Sequence, residues 1–162
     1  MICGSTGAGK TTFSLQLAKE HQAVIFSIDE WMENLYGVER NTSTELSWML
    51  ERIERCEKQI WAICLQLLSQ DRHLILDLGL SKKEHREKFY QLASDINVDT
   101  TLYFLDIDKE IRWKRVQQRN LEKGETYSLE VTRDMFDFME NWFEEPEGLE
   151  HSNLKIVRDN TK

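Results

Sequence analysis

The residues Gly4 to Thr11, GSTGAGKT, follow a spacing of Gly, four residues, Gly, Lys and Ser/Thr in which every fixed position has a physical job. Glycines let the backbone fold so that several N–H groups converge, making a concave nest for phosphate oxygens. Lys10 reaches over that nest to the outer phosphates, and the Thr11 hydroxyl is placed to ligate Mg²⁺. The phosphate-binding set is therefore Gly4, Ser5, Thr6, Gly7, Ala8, Gly9, Lys10, Thr11 and Thr12. A Gly-rich turn that matches by accident is the plain alternative, and context separates the two, because the nest needs a strand before it and a helix after it. Phe13, Leu15, Leu17 and Ala18, mixed with Ser14, Gln16 and Lys19, supply the helix, whose positive N-terminal end faces the same phosphates. Only Met1, Ile2 and Cys3 precede Gly4, against about five or six residues in a usual strand. The expectation is that the first strand continues upstream of Met1.

Acidic residues follow the other apolar runs: Asp29 and Glu30 after "AVIFSI", Asp77 in "HLILDLG", Asp106 and Asp108 at the end of "TTLYFLDI". A carboxylate near a γ-phosphate can orient an acceptor hydroxyl and take its proton, and Asp29 is the residue assigned that role. The same position also allows Asp29 to be the N-cap of a short helix, "EWMENLYG". Asp77 is a candidate for holding Mg²⁺ through water or contacting the acceptor; a solvated strand end is the other reading. Arg112, Arg115 and Arg119, spaced by three and four residues, share one helix face beside the Gly124 link. Guanidinium groups over a triphosphate would offset charge building on the transferred group. The alternative is a solvated face paired with Glu110 and Glu122.

These groups have to be positioned by strands alternating with helices. "AVIFSID" reads as a buried parallel strand. Thr42 and Glu45 resemble a capping box opening a long helix, with Leu46, Met49, Leu50, Ile53, Cys56, Ile60, Ile63, Cys64 and Leu67 as its core stripe. "HLILDLG" is a third strand, and Ser81 with Glu84 predicts another capping box behind it. "TTLYFLDI" is a fourth, followed by a basic helix from about Asp108 to Asn120. The polar link "LEKGETY" leads to a last helix with Met135, Phe136, Phe138 and Met139, and "LKIV" closes as a fifth strand. Alternation of this kind predicts an α/β fold, a parallel sheet with helices on both faces, and ligands beyond the carboxyl ends of the strands.

At 162 residues the chain has the size of one compact domain. Its 21 basic and 29 acidic residues give a net charge of −8, which counts against an extended nucleic acid partner. Cys3, Cys56 and Cys64 lack metal-ligand spacing, and the last two lie about 12 Å apart along one helix, too far to bridge. A reducing cytoplasm is the simplest home for them. No apolar run approaches the roughly 18 residues that span a bilayer, so no membrane partner is expected.

The stretches "GSTGAGKTT", "FSIDEWM", "LILDLGLS", "RVQQRN" and "MFDFMENWFEEP" together resemble the small P-loop kinases grouped with chloramphenicol phosphotransferase, zeta toxins and polynucleotide kinase. The likeness runs from the loop to the region of Pro146. It implies a P-loop NTPase fold with an adenylate-kinase-like, five-stranded parallel sheet in the order 2-3-1-4-5. It also implies a single kinase domain over 1–162 with a small lid around 119–128. The cofactors implied are ATP and Mg²⁺; Lys10, Asp29, Arg115 and Arg119 are the catalytic residues, Arg119 also contacts nucleotide, and Thr11 and Asp77 serve the metal. The implied reaction moves the γ-phosphate to a hydroxyl of a small-molecule acceptor, whose pocket is built from Trp31 to Arg40 and the long helix. Polynucleotide kinases of this pattern carry an arginine three residues after the strand-end Asp, where this chain has Met32. That departure weighs against a 5′-hydroxyl nucleic-acid kinase. A regulatory ATP-binding or ATPase module without an acceptor remains as the other function class.

Overall fold

A computed structural model describes residues 1–39, 45–124, 130–147 and 153–159. The chain divides into two compact units, Met1–Thr12 with Gly79–Lys162, and Phe13–Leu78. The first contains β1 (Ile2–Cys3), α4 (Lys83–Ser94), β4 (Leu102–Asp106), α5 (Lys109–Glu122), α6 (Arg133–Trp142) and β5 (Leu154–Arg158). The second contains β2 (Val24–Ser27), α2 (Ile28–Tyr36), α3 (Leu46–Leu68) and β3 (Leu74–Asp77). Helix α1 (Lys10–His21) starts in the first unit and continues into the second. The α/β class with parallel strands is as the alternation predicts.

In the first unit the ladders run β1-β4-β5, all parallel, with Ile2 opposite Tyr103 and Phe104 opposite Ile156. The Met1 carbonyl accepts from the Tyr103 N–H at 2.9 Å, carrying the two-residue β1 ladder one bond further. Leu102, Phe104 and Leu105 bury one strand's apolar groups, and α6 contributes Phe136, wholly buried and 5.1 Å from the Trp113 ring of α5. Burying a side chain of that size contributes about 1.5–3 kcal/mol. Asp108 starts α5 by accepting from the N–H groups of Glu110 and Ile111, and the helix stops at Lys123, which turns to φ 47°. The Asn120 amide then exchanges two hydrogen bonds with the Val131 backbone, at 2.9 and 3.2 Å, tying the end of α5 to the start of α6. Of the expected lid, residues 125–128 lie outside the described residues.

In the second unit β2 and β3 pair in parallel, from Val24 opposite Leu74 to Ser27 opposite Asp77. These ladders reproduce the neighbours 2-3 and 1-4-5 of the expected order; a ladder joining β3 to β1 is not recorded among the described residues. The stripe on α3 is only partly core. Cys56, Ile60 and Cys64 are buried, whereas Leu46 and Leu50 are each 47% exposed, so the helix packs through its C-terminal half. At its N-terminal end the Arg52 guanidinium instead lies over the Trp48 ring, 3.9 Å from its centroid.

Two predicted capping boxes have different outcomes. Thr42 lies outside the described residues, and Glu45 makes no side-chain cap. The Ser81 and Glu84 box does not form: Ser81 Oγ donates to the Gly79 carbonyl, and α4 begins two residues later. Its first N–H, that of Lys83, is taken by the Glu144 carboxylate at 2.8 Å, supplied from beyond α6. A distant side chain thus does the work expected of a local one.

Candidate functional site

The phosphate loop links β1 to α1. Gly7 and Gly9 hold φ of 80° and 92°, a region that L side chains enter only with strain. Gly7 is required for space as well, because a Cβ there would lie 2.6 Å from the Arg112 carbonyl oxygen and 2.9 Å from Val116. At Gly9 a Cβ would find only the Arg115 Nη1 within reach, at 3.8 Å. The loop is thus closed on the α5 side and open at its tip. The Ala8 N–H closes a turn onto the Ser5 carbonyl, and Lys10 Nζ donates to the carbonyls of Gly4 and Ser5 at 2.9 and 3.3 Å. Thr11 and Thr12 lie exposed in the first turn of α1, where the positive end of the helix dipole favours an anion.

The three arginines of α5 part company. Arg112 is buried and makes a two-pronged pair with Glu140 of α6, both N–O distances being 2.7 Å. It also donates to the carbonyls of Ile107 and Thr6. Arg112 therefore belongs to the scaffold; it neither faces solvent nor pairs with Glu110 or Glu122. Arg115 is partly exposed, donates to the Ala8 carbonyl at 3.4 Å and pairs with Asp159, which follows β5. The expected partners Glu110 and Glu122 again play no part. Arg119 is half-buried, and its Nε is enclosed with no hydrogen-bond partner among the described residues. A buried donor in that condition is costly unless an acceptor reaches it.

Glu140 is a residue at the loop that spacing did not single out. It accepts from Ser5 Oγ at 3.0 Å as well as from Arg112. The Arg112 hydrogen bonds hold its carboxyl below the usual glutamate range, outweighing the effect of burial, and the Ser5 bond adds to them. It lies inside "MFDFMENWFEEP", but only the fold reveals that this acidic position meets the loop.

In the second unit Asp29 is exposed in the first turn of α2. It is not the cap: Ser27 is, with its hydroxyl accepting from the Glu30 N–H at 3.4 Å. Asp77 is buried at 6% exposure and accepts a long hydrogen bond from Ser14 Oγ, 3.4 Å, which removes the solvated strand-end reading. Met32 is buried in α2, so the position where polynucleotide kinases of this pattern carry arginine is an apolar core position here. Of the acidic residues at the end of the fourth strand and just beyond it, Asp106 pairs with Arg158 and Asp108 caps α5, which accounts for both structurally. Among the described residues no three His, Cys, Asp or Glu side chains form a cage for a metal ion. Arg40, at the end of the expected acceptor segment, lies outside the described residues. No helix among the described residues is long and apolar enough to cross a membrane.

A strand, a glycine nest, a lysine and a helix N-terminus in this order define a P-loop fold. The chain belongs to the AAA domain family AAA_33, whose model matches residues 1–146. No curated protein matches it in sequence. Solved structures share the fold at low identity. Chaetomium thermophilum Kti12, in complex with ADP-AlF3, is 18% identical with a TM-score of 0.72 over 99% of this chain and 89% of its own. Mycobacterium tuberculosis APS kinase CysC, with AMPPNP and APS, is 13% identical with a TM-score of 0.63 over 99% and 87%. A gluconokinase from Sinorhizobium meliloti is 14% identical with a TM-score of 0.61 over 99% and 82%. The fold is that of the P-loop kinase group.

Proposed function

We propose that this chain is an ATP- and Mg²⁺-dependent phosphotransferase, a single kinase domain with a small lid around 119–128, acting on a hydroxyl of a small-molecule acceptor. The observation that carries the reading is the loop itself: Gly7 and Gly9 at positive φ, with open space at the tip and α1 starting at Lys10. The family membership agrees with it, as do the kinases and the ADP-AlF3 and AMPPNP complexes among structures of the same fold.

The residues fit a triphosphate. The loop's N–H groups and Lys10 would bind the phosphates, and the enclosed Nε of Arg119 is a donor suited to an anionic oxygen. Arg115, a short side-chain distance from Ala8 and Gly9, would offset charge on the transferring group. Bound Mg²⁺ commonly takes one or two protein oxygens plus phosphates and water, and Thr11 and Asp77 would provide them. Its chemistry is to neutralise charge on the phosphate oxygens. Asp29, freed of the capping role by Ser27, would aim the acceptor hydroxyl in line and take its proton. Buried Met32 and the net charge of −8 speak for a small acceptor over a polynucleotide.

The test is paired. On one Asp29→Asn sample, nucleotide affinity and acceptor-dependent ADP release are measured with a panel of alcohols, sugars, aminoglycosides and nucleosides. Turnover is expected to fall by about a hundredfold or more, the worth of general-base assistance, while ATP affinity stays within a few fold. A wild-type protein that binds ATP and releases ADP with no acceptor dependence is a regulatory ATP-binding module instead.

A further inference from the structure

We propose that Glu140 is a positioning residue of the phosphate loop, setting nucleotide affinity through Ser5 and Arg112. The proposal rests on the nucleotide-binding reading above. One carboxylate oxygen of Glu140 receives both the Ser5 hydroxyl, at 3.0 Å, and Arg112 Nη1, at 2.7 Å. The other oxygen receives Arg112 Nη2. Nη1 also donates to the Thr6 carbonyl at 3.2 Å. A trans peptide points its C=O and N–H in opposite directions. Holding the Thr6 carbonyl toward Arg112 therefore turns the Gly7 N–H the other way.

Contact with α5 is also made through its backbone, since a Cβ on Gly7 would lie 2.6 Å from the Arg112 carbonyl. Ser5 and Arg112 are both nearly buried, at 8% and 5% exposure, so neither bond exchanges freely with water. An ion pair that only joined α5 to α6 would have no use for a loop hydroxyl. The Ser5 bond is what extends the pair into the nest, and Glu140 is the group shared by loop, α5 and α6.

Binding of a fluorescent ATP analogue and thermal melting, measured on the full chain, test the idea with wild type, Ser5→Ala, Ser5→Thr, Glu140→Gln and the double variant Ser5→Ala with Glu140→Gln. Ser5→Ala is expected to weaken affinity by about threefold to tenfold, the range one hydrogen bond carries, with its melting temperature within about 4 °C of wild type. Ser5→Thr, which retains the hydroxyl, is expected to bind as wild type does. Glu140→Gln should weaken binding at least as much as Ser5→Ala, and the double variant should be no weaker than Glu140→Gln alone. Unchanged affinity in Ser5→Ala, or effects of the two substitutions that simply multiply, overturns the proposal. Should Glu140→Gln not fold, the Ser5 pair still decides it. A wild type that binds no ATP analogue removes the nucleotide reading and this proposal together; a binding wild type with indifferent variants removes this proposal alone.

Discussion

At the scale of residues, the two central arginines of α5 look alike in sequence and differ in the fold. Arg112 has a side chain only 6% exposed and a two-pronged partner, whereas the Arg115 side chain is 43% exposed. Removing one member of a buried pair leaves the other charge stranded, so Arg112→Ala is expected to destabilise by about 3 kcal/mol. Arg115→Ala should change stability by no more than about 1 kcal/mol, because exposed pairs are screened by water. The activities should run the other way: in folded Arg115→Ala the transferring phosphoryl group loses a counter-charge, and turnover should fall by about a thousandfold. Denaturant titrations and ADP release on both variants measure this. Near-normal turnover in Arg115→Ala would return that residue to its pairing with Asp159. Spacing placed all three arginines on one face, which is correct for a helix. It does not show which residue meets Glu140, because that partner comes from 28 positions away.

At the scale of elements, helix termini divide into those written locally and those that depend on long-range partners. Asp108 before α5 and Thr132 before α6 cap their own helices, and both types are standard N-caps. The α4 start departs from the local Ser81 and Glu84 pattern because the Lys83 N–H is met by Glu144, a partner 61 residues on. At α2 the alternative reading of Asp29 as the cap gives way to Ser27, two positions earlier, since both are good capping types and only backbone geometry chooses between them. A local cap and a local clasp can be tested together. Asp108→Ala is expected to cost about 1 kcal/mol, with Asp108→Asn close to wild type. Asn120→Ala removes both bonds to Val131, each worth about 1 kcal/mol, and should destabilise more than Asp108→Ala. Chemical denaturation midpoints decide the order; a stable Asn120→Ala would mean that α5 and α6 are tied by their packing alone.

At the scale of the whole molecule, the parallel α/β class and the loop were legible because alternation and a fixed glycine spacing are local signals. Partner choice among charges was not, because it depends on which elements the fold brings together. Those charges govern the response to acid. Glu140 lies below the usual glutamate range chiefly through Arg112, Glu144 through the Lys83 N–H and then Lys82, and Asp137 through hydrogen bonds from Arg133 and Lys109. Each therefore binds fewer protons in the fold than in the unfolded chain as pH drops through the unfolded value, about 4. Stability rises with pH wherever the unfolded state holds more protons, so their contribution is complete above that value and is lost as pH falls through the folded ones. An opposing effect exists: a net charge of −8 repels itself at neutral pH, and mild acid relieves it. The two act in different windows, repulsion easing before the paired carboxylates protonate. Urea midpoints between pH 7 and pH 3 are thus expected to stay level or rise slightly at first and then fall steeply below about pH 4. Glu140→Gln, which has no proton to gain, should show a shallower fall over the acid limb from a lower starting point. Equal slopes for wild type and variant would mean that Glu140 is not held ionised by Arg112, and the acid limb would then belong to Glu144 and Asp137.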